Sequence, residues 1–516
     1  MQQATDKWLI DVTLPPPSLG DNTADADRLI AGLKKRLDTS HVTIDRPILL
    51  NLPELLRQNN YRIRCVLCKD QTTWNVIFLT GQEDHHAIAG LAVDLGTSRV
   101  VVRLINLIDG RAMAESAFDN PQLTVGVDVL TRIHHADTPG GLQHLQELII
   151  DGLNQHMESL CRQARIAQDQ IYLSAVAGNT AMTHLFLGLN PHWMIREPYI
   201  PAVNRPGWTR ASDLGLGIHP CGRVLVFPNI GSYFGGDLIA GILYSELHRQ
   251  EDTAILVDVG TNAEVVLGNH NWMMACAGAA GPALEGGVTK MGMMAGPGVI
   301  DRVDIDPKTR QFRIHTIDDQ EPVGICGSGL IDLAAQMFLA GMIDVRGRLV
   351  PGQSDGRYKE KDGMGYLVVL PADQSGTGLD LTIGQADLDS LTRSKAAMFT
   401  ILETITTTVG MTMEDLSAFY VAGTFGSFIR PTSAISIGML PDLAIDRYQP
   451  LGNSSLGGAT LALTSTAAVD EIDAIQDRIT YMELNVNQDF MNRFSAAKFF
   501  PHTDPTRFPS VKVWEP

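Results

Sequence analysis

A short pattern occurs twice, and it restricts the folds open to this chain more than any other feature. The first copy is Gly90-Leu-Ala-Val-Asp-Leu-Gly-Thr-Ser98 and the second is Ala254-Ile-Leu-Val-Asp-Val-Gly-Thr-Asn262. Each begins with an apolar run that ends in Asp, followed by one apolar residue, Gly and a hydroxyl residue. A second apolar run follows each copy, at 100–106 and 263–268. Turn residues come next, Asp109-Gly110 in one case and Asn269-His-Asn271 in the other, and then a third run. The pattern predicts strand, tight turn, strand, turn, strand in both places.

The chemistry of such a turn is specific. Gly96 and Gly260 can take backbone angles closed to other residues, so that successive amides converge on an anion. Thr97, Ser98, Thr261 and Asn262 add side-chain donors. Asp94 and Asp258, at the strand ends, suit a hydrated magnesium ion better than direct contact with phosphate, because carboxylate and phosphate repel. One copy alone reads as an ordinary hairpin turn. Two copies with matching flanks favour a phosphate clamp, with a hairpin on either side of a nucleotide.

Composition limits the partners. The 516 residues allow two to four domains with large cores. Apolar content of 44% predicts a soluble, globular chain, and no run reaches the roughly 18 apolar residues of a membrane span. The start, Met1-Gln-Gln-Ala-Thr-Asp-Lys7, has neither a basic opening nor an apolar stretch, so the expected location is cytoplasmic. A net charge of −18 argues against nucleic acid and anionic membrane. The six cysteines are too sparse for a disulfide scaffold. Cys65 and Cys68 form the only close pair, and metal sites need about four ligands, so core cysteines are the better reading.

Before the first clamp, residues 1–88 read as a small α+β module. Its expected helices lie at 25–37 and 51–57, and its strands at 61–68 and 74–79. After the clamp, 140–165 has the spacing of a long amphipathic helix. Gly178-Asn179-Thr180 is either a further source of backbone donors or a strand–helix turn with an N-cap. Residues 191–222 are rich in proline and read as an irregular surface insertion. A small-residue helix at 238–244 precedes the second clamp. Beyond it, glycine-rich turns at 275–287 and 324–332 open helices, and 344–385 reads as loop. One long helix covers 387–409. A strand from 416 runs into Gly423-Thr424-Phe425-Gly426, and 452–459 opens another helix.

That order resembles the superfamily of actin, the heat-shock chaperone ATPases and the sugar kinases. Within it the chain resembles the ATP-dependent reductive activators of corrinoid proteins. The resemblance rests on the two clamps, Asn120-Pro-Gln122, Gly126 to Ile133, Gly178-Asn-Thr180, and Cys276 to Glu285. Gly324 to Asp332, Val421 to Gly426 and Ile437 to Pro441 continue it, and it runs from about residue 8 to the end. The implied fold is α/β, with duplicated ribonuclease-H-like lobes at 89–250 and 251–516 after the small module.

The implied activity is an ATPase coupled to one-electron reduction of a Co(II) corrinoid protein to Co(I) in a methyltransferase system, with a homodimer as the expected assembly. On this resemblance Asp94 and Asp258 organise magnesium and the attacking water. Gly96, Thr97 and Ser98 hold ATP phosphates from one lobe, and Gly260, Thr261 and Asn262 from the other. Gly423, Thr424, Phe425 and Gly426 line the adenosine. Glu285 and Gly327-Ser328-Gly329 are further pocket candidates. Ser98 stands where a threonine is common and keeps the hydroxyl.

One departure is large. Such activators typically carry an iron–sulfur domain with four clustered cysteines, and Cys161, Cys221, Cys276 and Cys326 are dispersed. No iron–sulfur cluster is expected in these residues, so a ferredoxin or a separate iron–sulfur domain would supply the electron. Three rival readings remain. One is a small-molecule kinase with Asp237 as base. Another is a dehydratase-type activator holding an intersubunit cluster through Cys276 and Cys326. The third is a nucleotide-gated scaffold with negligible turnover.

Overall fold

Both copies of the repeat build the centre of a sheet. The computed structural model describes residues 7–260, 263–278, 289–423, 429–484 and 488–512. The chain divides into two compact units. One comprises residues 1–244 and 454–477, and the other 245–453 and 478–516.

In the first unit a six-stranded sheet runs in the order Ala112–Asp119, Arg99–Asn106, Ala89–Leu95, Ile171–Gly178, Arg223–Val226, Gly207–Arg210. The first three strands form the antiparallel meander that the repeat predicts, and Ile171–Gly178 joins in parallel. Alternation along Ala89–Leu95 sorts its two faces. Ala89, Leu91, Val93 and Leu95 enter the core beneath the helix Gly141–Ala164. That helix buries Leu145, Ile149, Leu153 and Met157, spaced every four residues along one stripe. On the other face the small residues Gly90 and Ala92 admit the helix Ser454–Thr464, and a Cβ at Gly90 would lie 3.3 Å from Leu463.

The N-terminal module is a four-stranded sheet, Leu9–Thr13, Arg62–Asp70, Thr73–Gly81, Val42–Ile44, with the helix Asp25–Leu37 packed on it. It is bound tightly to the rest of its unit. Phe78 stacks on Tyr172 with ring centres 4.4 Å apart, and the Tyr172 hydroxyl lies 2.8 Å from His86 Nε2. Arg223 donates to Asp45 at 2.6 Å, both side chains being largely buried. The Trp8 indole donates to the Ala462 carbonyl at 3.0 Å and meets Trp208 edge-on. Cys65 and Cys68 are buried on an inner strand of this module, as core cysteines should be.

In the second unit the sheet order is Tyr448–Gly452, Phe419–Ala422, Ala254–Val259, Ala263–Gly268, Met273–Gly278, Ile479–Tyr481. The repeat again supplies an antiparallel meander, and Phe419–Ala422 joins Ala254–Val259 in parallel. The duplication therefore extends to the register. Asp94 lies opposite Ala177, and Asp258 opposite Ala422. Gly178 thus follows its strand in the first sheet as Gly423 follows its strand in the second. The long helix Gln385–Thr408 packs on this sheet and buries Leu388, Leu391, Met398, Leu402 and Ile405.

Two stretches carry more regular structure than their composition predicts. Residues 191–222 include the strand Gly207–Arg210, which pairs antiparallel with Arg223–Val226 and closes the edge of the first sheet. Residues 344–385 hold a three-stranded sheet, Tyr358–Lys361, Met364–Leu370 and Leu381–Gly384. The later residues of its central strand are buried together with Leu381 and Ile383, and Lys359, Glu360 and Lys361 face water. A polar edge strand of this kind lacks the apolar alternation that marks a strand in sequence. No described helix is long and apolar enough to cross a membrane.

Candidate functional site

The first turn is held from behind by side chains. Gly96 is required there because a Cβ would meet the Arg99 carbonyl at 2.3 Å. Asn120 Nδ2 donates to the Gly96 carbonyl at 2.9 Å, and the Asn120 amide donates to the Ser98 carbonyl at 2.8 Å. Arg132 Nη2 donates to the Thr97 carbonyl at 2.8 Å. The carbonyl and N–H of one trans peptide point in opposite directions. With the carbonyls of Gly96 and Thr97 drawn toward Asn120 and Arg132, the N–H groups of Thr97 and Ser98 are directed away from them. A hairpin turn whose successive amides face the same way is an anion-binding concavity.

Further side chains gather around this turn. Asn179 caps the helix Thr180–Leu187 by accepting from the Met182 amide at 3.0 Å, and its Nδ2 donates to Thr97 Oγ1 at 2.9 Å. The Gly178 turn is therefore an N-cap whose Asn179 side chain also reaches the first turn. Since Thr97 Oγ1 accepts from Asn179, its own hydrogen is available to donate elsewhere. Asp94 is half-buried in the strand end beside Ala177. Asp237, in the first turn of the helix Gly236–Ser245, accepts from the Leu238 amide at 2.9 Å. A Cβ at Gly235 would meet both Asn179 Cα at 2.4 Å and Asp237 Oδ1 at 2.6 Å, which places that carboxylate beside the Asn179 turn.

Burial sets the electrostatics. Arg132 has no solvent exposure, and this pushes its guanidinium down to about 10, with Asp128 opposing the shift. Among the described residues no carboxylate lies within ion-pair distance of it. Its partners are the carbonyls of Gly126 and Thr97, Gln122 Oε1 and Met182 Sδ.

In the second unit, Asp258 is half-buried at its strand end, and Gly260 follows. Gly423 has φ +82°, and a Cβ there would meet Asp258 Oδ1 at 2.8 Å. The strand-end turn and the carboxylate are thus in contact distance, as the matching register requires. Thr261, Asn262, Glu285, Thr424, Phe425 and Gly426 lie outside the described residues. Beyond that segment, Arg430 donates to Asp332 and Asp304, and Asp332 also accepts from Ser433 and from the Val303 amide. Gly327, Ser328 and Gly329 open the helix Gly327–Leu339 and are buried. A Cβ at Gly329 would meet the Ile300 carbonyl at 2.3 Å, and the Ser328 hydroxyl lies 3.1 Å from Cys326 Sγ. These three residues pack the helix start against the strand Val299–Ile305.

All six thiols are buried. Burial raises Cys276 well above the ordinary thiol range. Among the described residues, no group of three or more His, Cys, Asp and Glu could hold a metal ion.

Comparison with known proteins agrees with this architecture. Three family models match in succession: the RACo linker region over residues 2–85, the RACo middle region over 89–250, and the C-terminal ASKHA domain of RACo over 252–512. The corrinoid activation enzyme RamQ of Eubacterium limosum is 29% identical over 477 residues, covering 91% of this chain and 79% of that protein. The [Co(II) methylated amine-specific corrinoid protein] reductase of Methanosarcina barkeri is 24% identical over 441 residues, covering 78% of this chain and 75% of that one. A solved structure of a reductive activator for corrinoid, iron-sulfur protein is 36% identical, with a TM-score of 0.88, over 99% of this chain and 82% of that chain. With family models matched along nearly its whole length and a solved member sharing its fold, the chain belongs to the RACo family of reductive activators of corrinoid proteins.

Proposed function

We propose that this protein is an ATP-driven activator that returns an inactive Co(II) corrinoid protein of a methyltransferase system to Co(I). The observation that carries the nucleotide part is the first turn, whose Gly96 and Thr97 carbonyls are held back by Asn120 and Arg132. The names of the two curated relatives and of the solved relative support the corrinoid part.

The residues suit Mg-ATP. Each unit offers a half-buried carboxylate at a strand end, one beside outward-facing amides and one beside a glycine of φ +82°, and groups of this kind suit a hydrated cation and phosphates. In this reading Thr97 and Ser98 bind phosphate through backbone and hydroxyl groups, and Gly260, Thr261 and Asn262 do so from the second repeat. Gly423, Thr424, Phe425 and Gly426 take the adenosine. Asp94 and Asp258 would hold magnesium and orient the attacking water. Bound magnesium supplies charge neutralisation of the phosphates. Phosphoryl transfer needs little beyond such positioning and charge.

Hydrolysis of ATP to ADP and phosphate then drives the conformational step that lets one electron reach Co(II). The electron comes from a ferredoxin or a separate iron–sulfur domain. The six dispersed, buried thiols suit core packing better than a cluster, including Cys276 and Cys326 of the dehydratase-type reading. The reading includes a cytoplasmic homodimer, which light scattering would check.

The test is ATP hydrolysis by the purified chain with and without a Co(II) corrinoid protein. Stimulation by that protein is expected. Hydrolysis that ignores it would overturn the corrinoid reading. A second reading, a small-molecule kinase, draws on the Asp237 carboxylate beside Asn179. Transfer of the ATP phosphate to a hydroxyl substrate, lost in Asp237→Asn, would favour it.

A further inference from the structure

We propose that Arg132 is a positioning residue for the first phosphate turn, and that its buried positive charge makes the site prefer nucleotides with more phosphates. The proposal rests on the ATP reading and adds to it a determinant of selectivity.

The argument begins with cost. A guanidinium removed from water loses hydration that hydrogen bonds to neutral groups repay only in part, and buried cations normally sit against a carboxylate. Arg132 is fully buried, yet its hydrogen-bond partners are two carbonyls, an amide oxygen and a thioether. The second observation is direction. Nη2 bonds the Thr97 carbonyl at 2.8 Å, so the guanidinium stands at the oxygen end of the peptide whose nitrogen end is Ser98 N–H. A cation at the carbonyl polarises the peptide and makes its N–H a stronger donor to an anion on the far side. The third is support. Gln122 Oε1 accepts from Arg132 at 3.1 Å, and Gln122 Nε2 donates to the Leu145 carbonyl at 2.9 Å. The guanidinium is thereby tied to the long helix Gly141–Ala164. Asn120 repeats the device one peptide earlier with a neutral amide at the Gly96 carbonyl.

A structural brace and a charged positioning residue predict different nucleotide profiles. A brace that fails weakens ATP, ADP and AMP alike. A charge behind the turn matters more for each added phosphate. The experiment measures the dissociation constants of Mg-ATP, Mg-ADP and AMP by calorimetry for the wild type, Arg132→Met and Arg132→Lys, with thermal melts for all three proteins. In Arg132→Met, ATP affinity should fall about tenfold or more, the scale of one lost charged hydrogen bond, and AMP affinity much less. Arg132→Lys keeps the charge but loses the fork, so it should melt lower than wild type and retain most of the ATP-over-AMP preference. Equal losses for the three nucleotides in a folded variant would overturn the proposal. If Arg132→Met does not fold, the Lys variant decides, and loss of its ATP-over-AMP preference counts against the charge. A wild type that binds no ATP would sink the nucleotide reading and this proposal together. A wild type that binds ATP with an unchanged profile in both variants would sink only this one.

Discussion

At the scale of single residues, the acidic groups and the glycines that admit them make separate predictions. Asp258→Ala should abolish magnesium-dependent ATP turnover while the melting temperature stays within a few degrees of wild type, because the side chain is only half-buried at a strand end. Full turnover in a folded variant would remove Asp258 from the site. Gly423→Ala meets strain from φ +82° and a Cβ 2.8 Å from Asp258 Oδ1. It should cost about 1–2 kcal/mol of stability, read by urea unfolding, and also lower turnover relative to wild type by displacing the carboxylate. His184 gives the pH dependence. It is buried, with Nδ1 at 2.7 Å from the Thr180 carbonyl and Nε2 accepting from the Val203 amide, and burial holds its pKa below 6.5. The unfolded chain takes up that proton first, so stability is lost as pH falls below about 6.5. His156, His219 and His502 shift the same way for the same reason. Melting temperature should decline from pH 7 to pH 5, and a flat profile would contradict the assignment. The acidic residues of the turns were legible in sequence because strand, Asp and Gly are adjacent. The role of Arg132 was not, since its carbonyl partner is 35 residues away and only the folded chain brings them together. The signal was present in Asn120-Pro-Gln122 and in the segment ending at Ile133, as motifs without an assigned task.

At the scale of elements, the duplicated meander and the long helices were readable, since their apolar periods of two and 3.6 are sustained over whole elements. The helix Ser454–Thr464 shows what composition alone conceals. Its glycines are contact residues. A Cβ at Gly457 would strike the Tyr244 ring at 2.5 Å, and one at Gly458 the Ala240 carbonyl at 2.2 Å. The two helices meet backbone to backbone. Gly458→Val should therefore destabilise the protein by about 2–3 kcal/mol despite the usual penalty for glycine in a helix, because a carbonyl cannot rotate out of the way as a side chain can. Urea titration reads this directly, and an unchanged or raised midpoint would show that the helices are not packed this closely. The three-stranded sheet within 344–385 escaped the sequence because Tyr358–Lys361 presents charge on both faces. The edge strand Gly207–Arg210 escaped because it is four residues long inside a proline-rich stretch.

At the scale of the whole molecule, the first unit gathers the N-terminal module, the first repeat and residues 454–477 into one body. Asp45 and Arg223 form a largely buried ionic tie within it. Asp45→Asn would leave the guanidinium without its counter-charge at a cost of about 3 kcal/mol, and should open residues 1–88 to limited proteolysis before the rest of the chain. Cleavage at the wild-type rate would mean that the aromatic contacts around Tyr172 and Trp8 suffice. The discontinuity of this unit also has a consequence for synthesis. The sheet face that carries Gly90 and Ala92 is covered by Ser454–Thr464, yet residues 245–453 must be translated in between. At ribosomal speed that interval is on the order of ten to forty seconds. Throughout it the nascent first sheet lacks its covering helix. A ribosome paused near residue 300 should therefore display a chaperone-binding surface that disappears once residue 480 has cleared the exit tunnel.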